Sequence, residues 1–364
     1  MESEKKVKVC HLTDVHQQED VRIFHKECVS LVQNGFEVYL VSKGRVYDKE
    51  GVHMAGIGDV VGGRLFRMTK TVRRVYKEAK KIDADIYHFH DPELLPYGLK
   101  LKRMGKKVIF DSHEDVPAQI MDKYWIPKPM RRFISKMYRL FETYAVKHLD
   151  AVVAATPYIA KQFKGRAKRI IVLNNYPRLD DIQFHDTPFE KRDRIVCYAG
   201  SINDVRGEKV MVEAMKDVDG TLILAGDHPV EQIGGGYSMI QYVGALNRNE
   251  INKLYGKSCA GLCVLLPTDS YVRSKPVKMY EYMAAGLPFI CSDFPLWRAV
   301  ADQTRAGICV DIADSKAVGA AINYILNHPK EALEMGRNGR RAIEKLYCWE
   351  REERKLTGLY REVV

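Results

Sequence analysis

Lys275 and Lys278 flank the start of a helical pattern, and a single carboxylate, Glu281, follows one turn later. The segment Ser274-Lys-Pro-Val-Lys-Met-Tyr-Glu-Tyr-Met-Ala-Ala-Gly-Leu-Pro288 follows an apolar run at 260–266 and a polar loop at 268–273. Pro276 suits the first helical turn, where its missing N–H costs nothing. Gly286 suits the C-terminal cap, and residues 288–291 the next strand. Unpaired amides and the positive end of the helix dipole attract anions at such a start. Glu281 would accept hydrogen bonds from sugar hydroxyls. Phosphate and ribose together point to a nucleotide, although a helix start alone is also ordinary α/β architecture.

A second group gathers at two expected strand ends: His88, His90 and Asp91, then Asp111, His113, Glu114 and Asp115. Imidazole and carboxylate are ligands for zinc, manganese or iron, so a metal-dependent hydrolase using His88, His90 and His113 is one reading. The plain alternative is a core histidine paired with a carboxylate, and His88 suits it. The loop 14–18, Asp-Val-His-Gln-Gln, leaves another strand end, where open α/β sheets collect ligands.

Strand and helix patterns alternate around these groups. Strands are expected at 7–13, 36–42, 85–90, 107–111, 150–155 and 170–173, with Asp20 capping a helix through 33. A polar stretch, 178–192, reads as a linker. Further strands follow at 194–200, 222–226, 240–246, 260–266, 288–291 and 307–310, and helices from about 329 to 364. Gly234, Gly235 and Gly236 open no helix and read as a turn.

The pattern Pro276-x-Lys278-x-x-Glu281-Tyr-Met-Ala-Ala-Gly-x-Pro288 resembles the donor motif of family 4 glycosyltransferases, which have the GT-B fold. The resemblance implies two Rossmann-like domains facing across a cleft. An acceptor-binding domain would span 1–178 and a nucleotide-sugar-binding domain 190–349, with residues 350–364 returning to the first and Trp349 packed at the crossing. It implies retaining transfer from a UDP- or GDP-linked sugar to a saccharide acceptor, without cofactor or metal. Glu281 would hold the ribose, and Ser274, Lys275, Pro276, Val277 and Lys278 the diphosphate. The glycine turn is Gly200, where the family's arginine is Ser201 and its later lysine is Arg206, so Lys275 or Lys278 would supply the missing cation. Gly226 and the loop Gly244, Ala245, Leu246 would border the donor, the latter beside the base. His113 would assist catalysis near the donor sugar with Arg206 and Lys278, and Asp14, His16 and Asp91 would face the acceptor. The earlier glutamate of the family's pair falls on Arg273. A sugar-nucleotide epimerase and a non-catalytic binding protein are the other readings of this fold.

The net charge of +11 is uneven. Residues 1–180 carry 34 Lys and Arg against 22 Asp and Glu, and the remainder is close to neutral. With no nucleic-acid motif present, the expected anionic partner is a membrane surface carrying a lipid-linked acceptor. Residues 121–148 interleave bases with Tyr124, Trp125, Phe133 and Tyr138, which suits an interfacial helix and equally a core-packed helix with a basic outer face. No apolar run is long enough to span a bilayer, and no leader pattern opens the chain. The expected location is cytoplasmic, at the inner membrane face. Eight scattered cysteines without a Cys-x-x-Cys pair are expected as buried thiols.

Overall fold

A computed structural model describes residues 6–60, 62–63, 66–123, 126–227 and 239–364. Tyr124, Trp125 and the expected turn at 234–236 lie outside the described residues. The chain forms two compact units, residues 1–175 with 352–364, and residues 176–351. The stretch expected as a linker, 178–192, belongs to the second unit. Phe189 is buried in its core, and the Arg192 guanidinium lies over the Phe189 ring and donates to Ser258 O at 2.9 Å. All eight cysteines are free, and seven are buried.

The first unit is an eight-stranded sheet in the order β3-β4-β2-β1-β5-β6-β7-β8. Its strands are β1 (Lys8–Leu12), β2 (Glu37–Ser42), β3 (Tyr47–Lys49), β4 (Val52–Gly56), β5 (Ile86–Phe89), β6 (Lys107–Ser112), β7 (Ala151–Ala154) and β8 (Ile170–Val172). All neighbours are parallel except β3 and β4. That hairpin was not expected. Glu50 and Gly51 turn it with positive φ of 50° and 78°, as a two-residue hairpin turn requires.

Asp20 caps the helix after β1, its Oδ1 accepting from the amides of Arg22 and Ile23 at 2.8 and 2.9 Å. That helix is π-wound over Val21–Cys28 and α-helical over Val29–Gln33. The wider winding turns Arg22, Lys26 and Glu27 inward, all buried. Residues 352–364 close this unit, with Leu356, Leu359 and Tyr360 buried.

The second unit is a six-stranded parallel sheet, β9 (Ile195–Ala199), β10 (Thr221–Ala225), β11 (Ile240–Gly244), β12 (Ala260–Cys263), β13 (Phe289–Ser292) and β14 (Gly307–Val310). Its order, β11-β10-β9-β12-β13-β14, reverses direction between β9 and β12. Ligands collect at such a switch point, beyond the carboxyl ends of the strands. Trp349 is buried, and its amide donates to Pro177 O at 2.9 Å.

Candidate functional site

The switch point of the second unit gathers Gly200, Gly226, Gly244 and the start of the helix Val277–Ala285. Pro276 is the cap of this helix rather than a member of its first turn, because its ψ of 121° is extended. Gly286 ends the helix in the left-handed region with φ 73°. Gly200 has φ 136°, and a Cβ there would lie 3.2 Å from Lys278 Nζ. The Lys278 amine thus lies beneath the glycine turn, 3.4 Å from the Tyr198 ring centre, buried and with no hydrogen-bond partner. Burial lowers its pKa to about 7.

Lys275 does not occupy this place: its Nζ donates to Tyr176 O–H at 3.0 Å. Arg206 ends a short turn, Asp204–Arg206, capped by Asn203, with its guanidinium over the Tyr271 ring. Ser201 is exposed, as are Gly244 and Ala245, while Leu246 is half-buried. Ser274 O accepts from Trp297 Nε1 at 2.8 Å, which fixes the loop before the helix.

Glu281 is held by two partners that the sequence did not single out. Its Oε1 accepts from Arg248 Nη1 at 2.9 Å and its Oε2 from Tyr255 O–H at 3.2 Å. Arg248 opens the helix Arg248–Lys257, and Tyr255 lies seven residues on, two turns along the same face. That spacing was the available signal. A carboxylate has about four acceptor positions, so two remain for a ligand's hydroxyls. Arg273 is exposed at the end of the short helix Asp269–Val272.

In the first unit a cavity of about 620 Å³ opens beyond β1, β5 and β6, lined by His16, Asp91, His113, Ile134, Tyr138 and Phe141 among others. Asp91 is the keystone of its polar side. One carboxylate oxygen accepts from Thr13 Oγ1 and from the Asp14 amide, both at 2.7 Å. Asp14 does not line the cavity. Its carboxyl is fully buried, and burial with the neighbouring Asp91 and Glu93, against the nearby Arg67, pushes its pKa up to about 8. It lies beneath the loop, outside the cavity lining, with Arg67 Nε 3.8 Å from its Oδ2.

His16 does line the cavity. Its Nδ1 pairs with Asp20 at 3.3 Å, which raises its pKa. His113 lies with Nε2 3.1 Å from Asp111 Oδ2. Arg22 binds that carboxylate through Nε and Nη2 at 2.9 to 3.1 Å. Burial opposes charge on Asp111, but Arg22 and then His113 hold it well below the usual carboxylate range.

His88 does not pair with a carboxylate at hydrogen-bond distance. Its Nδ1 meets Tyr360 O–H at 2.8 Å, with Glu27 at 3.9 Å. Burial first, and then neighbouring imidazoles, keeps His11 and His88 neutral.

Two Rossmann-like units, one with a cation and a carboxylate at its switch point, define a glycosyltransferase of the GT-B fold. Residues 22–176 match the family model described as Glycosyltransferase Family 4, and residues 180–342 the one described as Glycosyl transferases group 1. The chain belongs to the family 4 glycosyltransferases.

Among curated proteins it is similar to a D-rhamnosyltransferase, WbpZ, of Pseudomonas aeruginosa, at 21% identity over 75% of this chain and 73% of that protein. It is also similar to O-antigen chain mannosyltransferase C of Escherichia coli, at 22% identity over 76% and 75%. Among solved structures, a sucrose-phosphate synthase from Thermosynechococcus elongatus aligns at TM-score 0.76 and 17% identity, covering 98% of this chain and 99% of that one. Anabaena Alr3699/HepE in complex with UDP-glucose aligns at TM-score 0.72 and 11% identity, with coverage of 98% and 99%.

Proposed function

We propose that this glycosyltransferase moves a sugar, with retention and without a metal in the reaction, from a UDP- or GDP-linked donor to a saccharide in surface polysaccharide or lipopolysaccharide assembly. The observation that carries the donor reading is the buried, unpartnered Lys278 amine beneath Gly200, with Glu281 one turn further along the same helix. As the glycosidic bond breaks, charge develops on the leaving diphosphate. Arg206, Lys278 and the free amides of the helix start are placed to stabilise it, which is efficient where water is excluded. Asp111, clamped by Arg22, lies 3.1 Å from His113 Nε2 at the edge of the cavity.

Screening sugar nucleotides for thermal stabilisation tests the donor, since ligand at about 100 times its dissociation constant adds roughly 2.7 kcal/mol. Product analysis then separates the readings. Sugar on an acceptor supports transfer. Free nucleotide with an epimerised sugar and no acceptor makes the protein an epimerase, and binding without turnover makes it a binding protein.

Glu281→Ala is expected to weaken nucleotide affinity by about 1.5–3 kcal/mol, the range for hydrogen bonds to a charged group. Arg248→Ala, which removes only the support, should cost less. Isothermal titration checks both. Unchanged affinity in Glu281→Ala discards the ribose assignment.

The acceptor reading includes a lipid carrier at a membrane surface. The helix Lys128–His148 buries only Glu142, Ala145 and Val146, and leaves Met130, Phe133, Met137, Leu140 and Tyr144 exposed at helical spacing. Phe133 is 67% and Leu140 57% exposed, which supports the interfacial reading of this face. Arg132, Lys136 and Lys147 are exposed beside it, and each base near an anionic surface contributes about 1 kcal/mol. Among the described residues, no helix is long and apolar enough to cross a membrane.

Co-sedimentation with anionic vesicles should show salt-sensitive binding, lost in Arg132→Glu/Lys136→Glu with nucleotide affinity intact. Equal binding to neutral vesicles, or binding to neither, removes this claim.

A further inference from the structure

Behind the cavity of the first unit, four side chains meet in a place the transfer does not use. His11 on β1 pairs in register with His88 on β5, and His90 follows on the same face. Glu27, from the π-wound turn, closes the group. All four are at most 2% exposed. One donor atom from each lies within 4.8 Å of every other.

We propose that His11, Glu27, His88 and His90 form a structural site for a zinc-class divalent cation. Bonds of about 2.0–2.1 Å in a tetrahedron put neighbouring donors roughly 3.3 Å apart. Here His11 Nδ1 and His90 Nε2 share a hydrogen bond of 3.0 Å that an ion would replace, and Glu27 Oε2 lies 3.9 Å from His88 Nδ1 and 4.0 Å from His90 Nε2. A cation draws such donors in with small side-chain movements. The imidazole centres lie 4.7 to 5.2 Å apart, with ring planes 20° to 46° from one another.

The group is also incomplete without an occupant. Neither Glu27 oxygen has a hydrogen-bond partner, and neither has His88 Nε2. Arg22 Nε is 3.0 Å from Glu27 Oε1, but its N–H does not point at it.

The outer groups suit a metal as well. Ligating imidazoles present their second nitrogen to a carboxylate or another polar group, which fixes the ring. His11 Nε2 meets Tyr360 O–H at 3.1 Å, while His90 Nδ1 lies 3.4 Å from Asp111 Oδ2 without a hydrogen bond. Tyr360 belongs to the chain's last helix, so the cation would fasten that helix to β1 and β5. A neutral imidazole set with one carboxylate suits zinc, and also cobalt as its probe. The four donors are buried, and of them His90 also borders the cavity. The ion is structural and compatible with a metal-free transfer step.

The test uses the full chain, purified without a metal-binding tag, loaded with zinc, desalted and counted by mass spectrometry. One zinc per chain is expected, with at least tenfold less retained in Glu27→Gln and full retention in His113→Ala. Cobalt loading of the unmutated chain should give the intense visible absorption of a tetrahedral nitrogen–oxygen site. That readout needs no variant, should Glu27→Gln fail to fold. Less than a tenth of an equivalent in folded protein overturns the site. So does a weak octahedral cobalt spectrum, or zinc kept by Glu27→Gln and lost by His113→Ala, which would place the ion at Asp111 and His113.

Discussion

Replacing His113 by alanine is expected to lower turnover at least 100-fold while nucleotide affinity stays within about threefold. Positioned proton-transfer groups contribute about 10²- to 10⁴-fold. His113 lines the cavity of the first unit just beyond the end of β6, with Nε2 3.1 Å from Asp111. Asp111 cannot turn away, because Arg22 grips both its oxygens. Steady-state kinetics with titrated nucleotide affinity checks this. Turnover within a few fold of the unmutated enzyme makes His113 structural. Hydrolysis abolished by chelator and restored by metal in His113-intact enzyme gives the site to a metal hydrolase.

The second large effect lies at Lys278. Its pKa of about 7 in the folded protein is depressed from about 10.4 in an unfolded chain. Between these values the unfolded chain binds the extra proton, so stability rises with pH, by up to about 1.4 kcal/mol per unit. The charged form is penalised by burial, and a bound diphosphate would restore it. Binding above pH 8 should then take up close to one proton per nucleotide. Affinity should fall toward tenfold per pH unit above 7. Lys278→Met should abolish the proton uptake, flatten both pH profiles and bind nucleotide at least tenfold more weakly at pH 7. Titration calorimetry in buffers of different ionisation enthalpy reads the uptake directly. Uptake that persists in Lys278→Met assigns the proton elsewhere.

What was legible in the sequence was what period and punctuation encode. The parallel strands other than β4 lie in apolar runs read from the chain, and Asp20 and Gly286 sit at the helix ends where their chemistry is favoured. The β3–β4 hairpin was missed because β3 is short and polar and β4 buries only Val52 and Met54 fully, so only Glu50-Gly51 marks the turn. The buried polar group was missed for a different reason. His11 and His88 become neighbours only through the register of β1 on β5, and Tyr360 joins them from the far end of the chain. Glu27 did leave a trace, four residues after the buried Ile23 on the apolar face of its helix. Likewise, Glu281 was visible as a ligand, but its grip by Arg248 depends on two helices meeting. Long-range pairing of side chains has no local period to reveal it.

The ends of β9, β10 and β11 are stitched together by main chain alone. The Gly200 amide donates to Ala225 O and the Gly226 amide to Gly244 O, both at 2.8 Å. A Cβ on Gly226 would lie 1.9 Å from Gly200 O, so no side chain fits between the loops. A floor built from peptide groups keeps its shape whatever residues border it. Lineages of such enzymes can therefore exchange the surrounding side chains, and with them the sugars they select, while the floor stays fixed. Divergence of substrate choice then runs far ahead of divergence of backbone, and the constraint on drift concentrates in a few glycines.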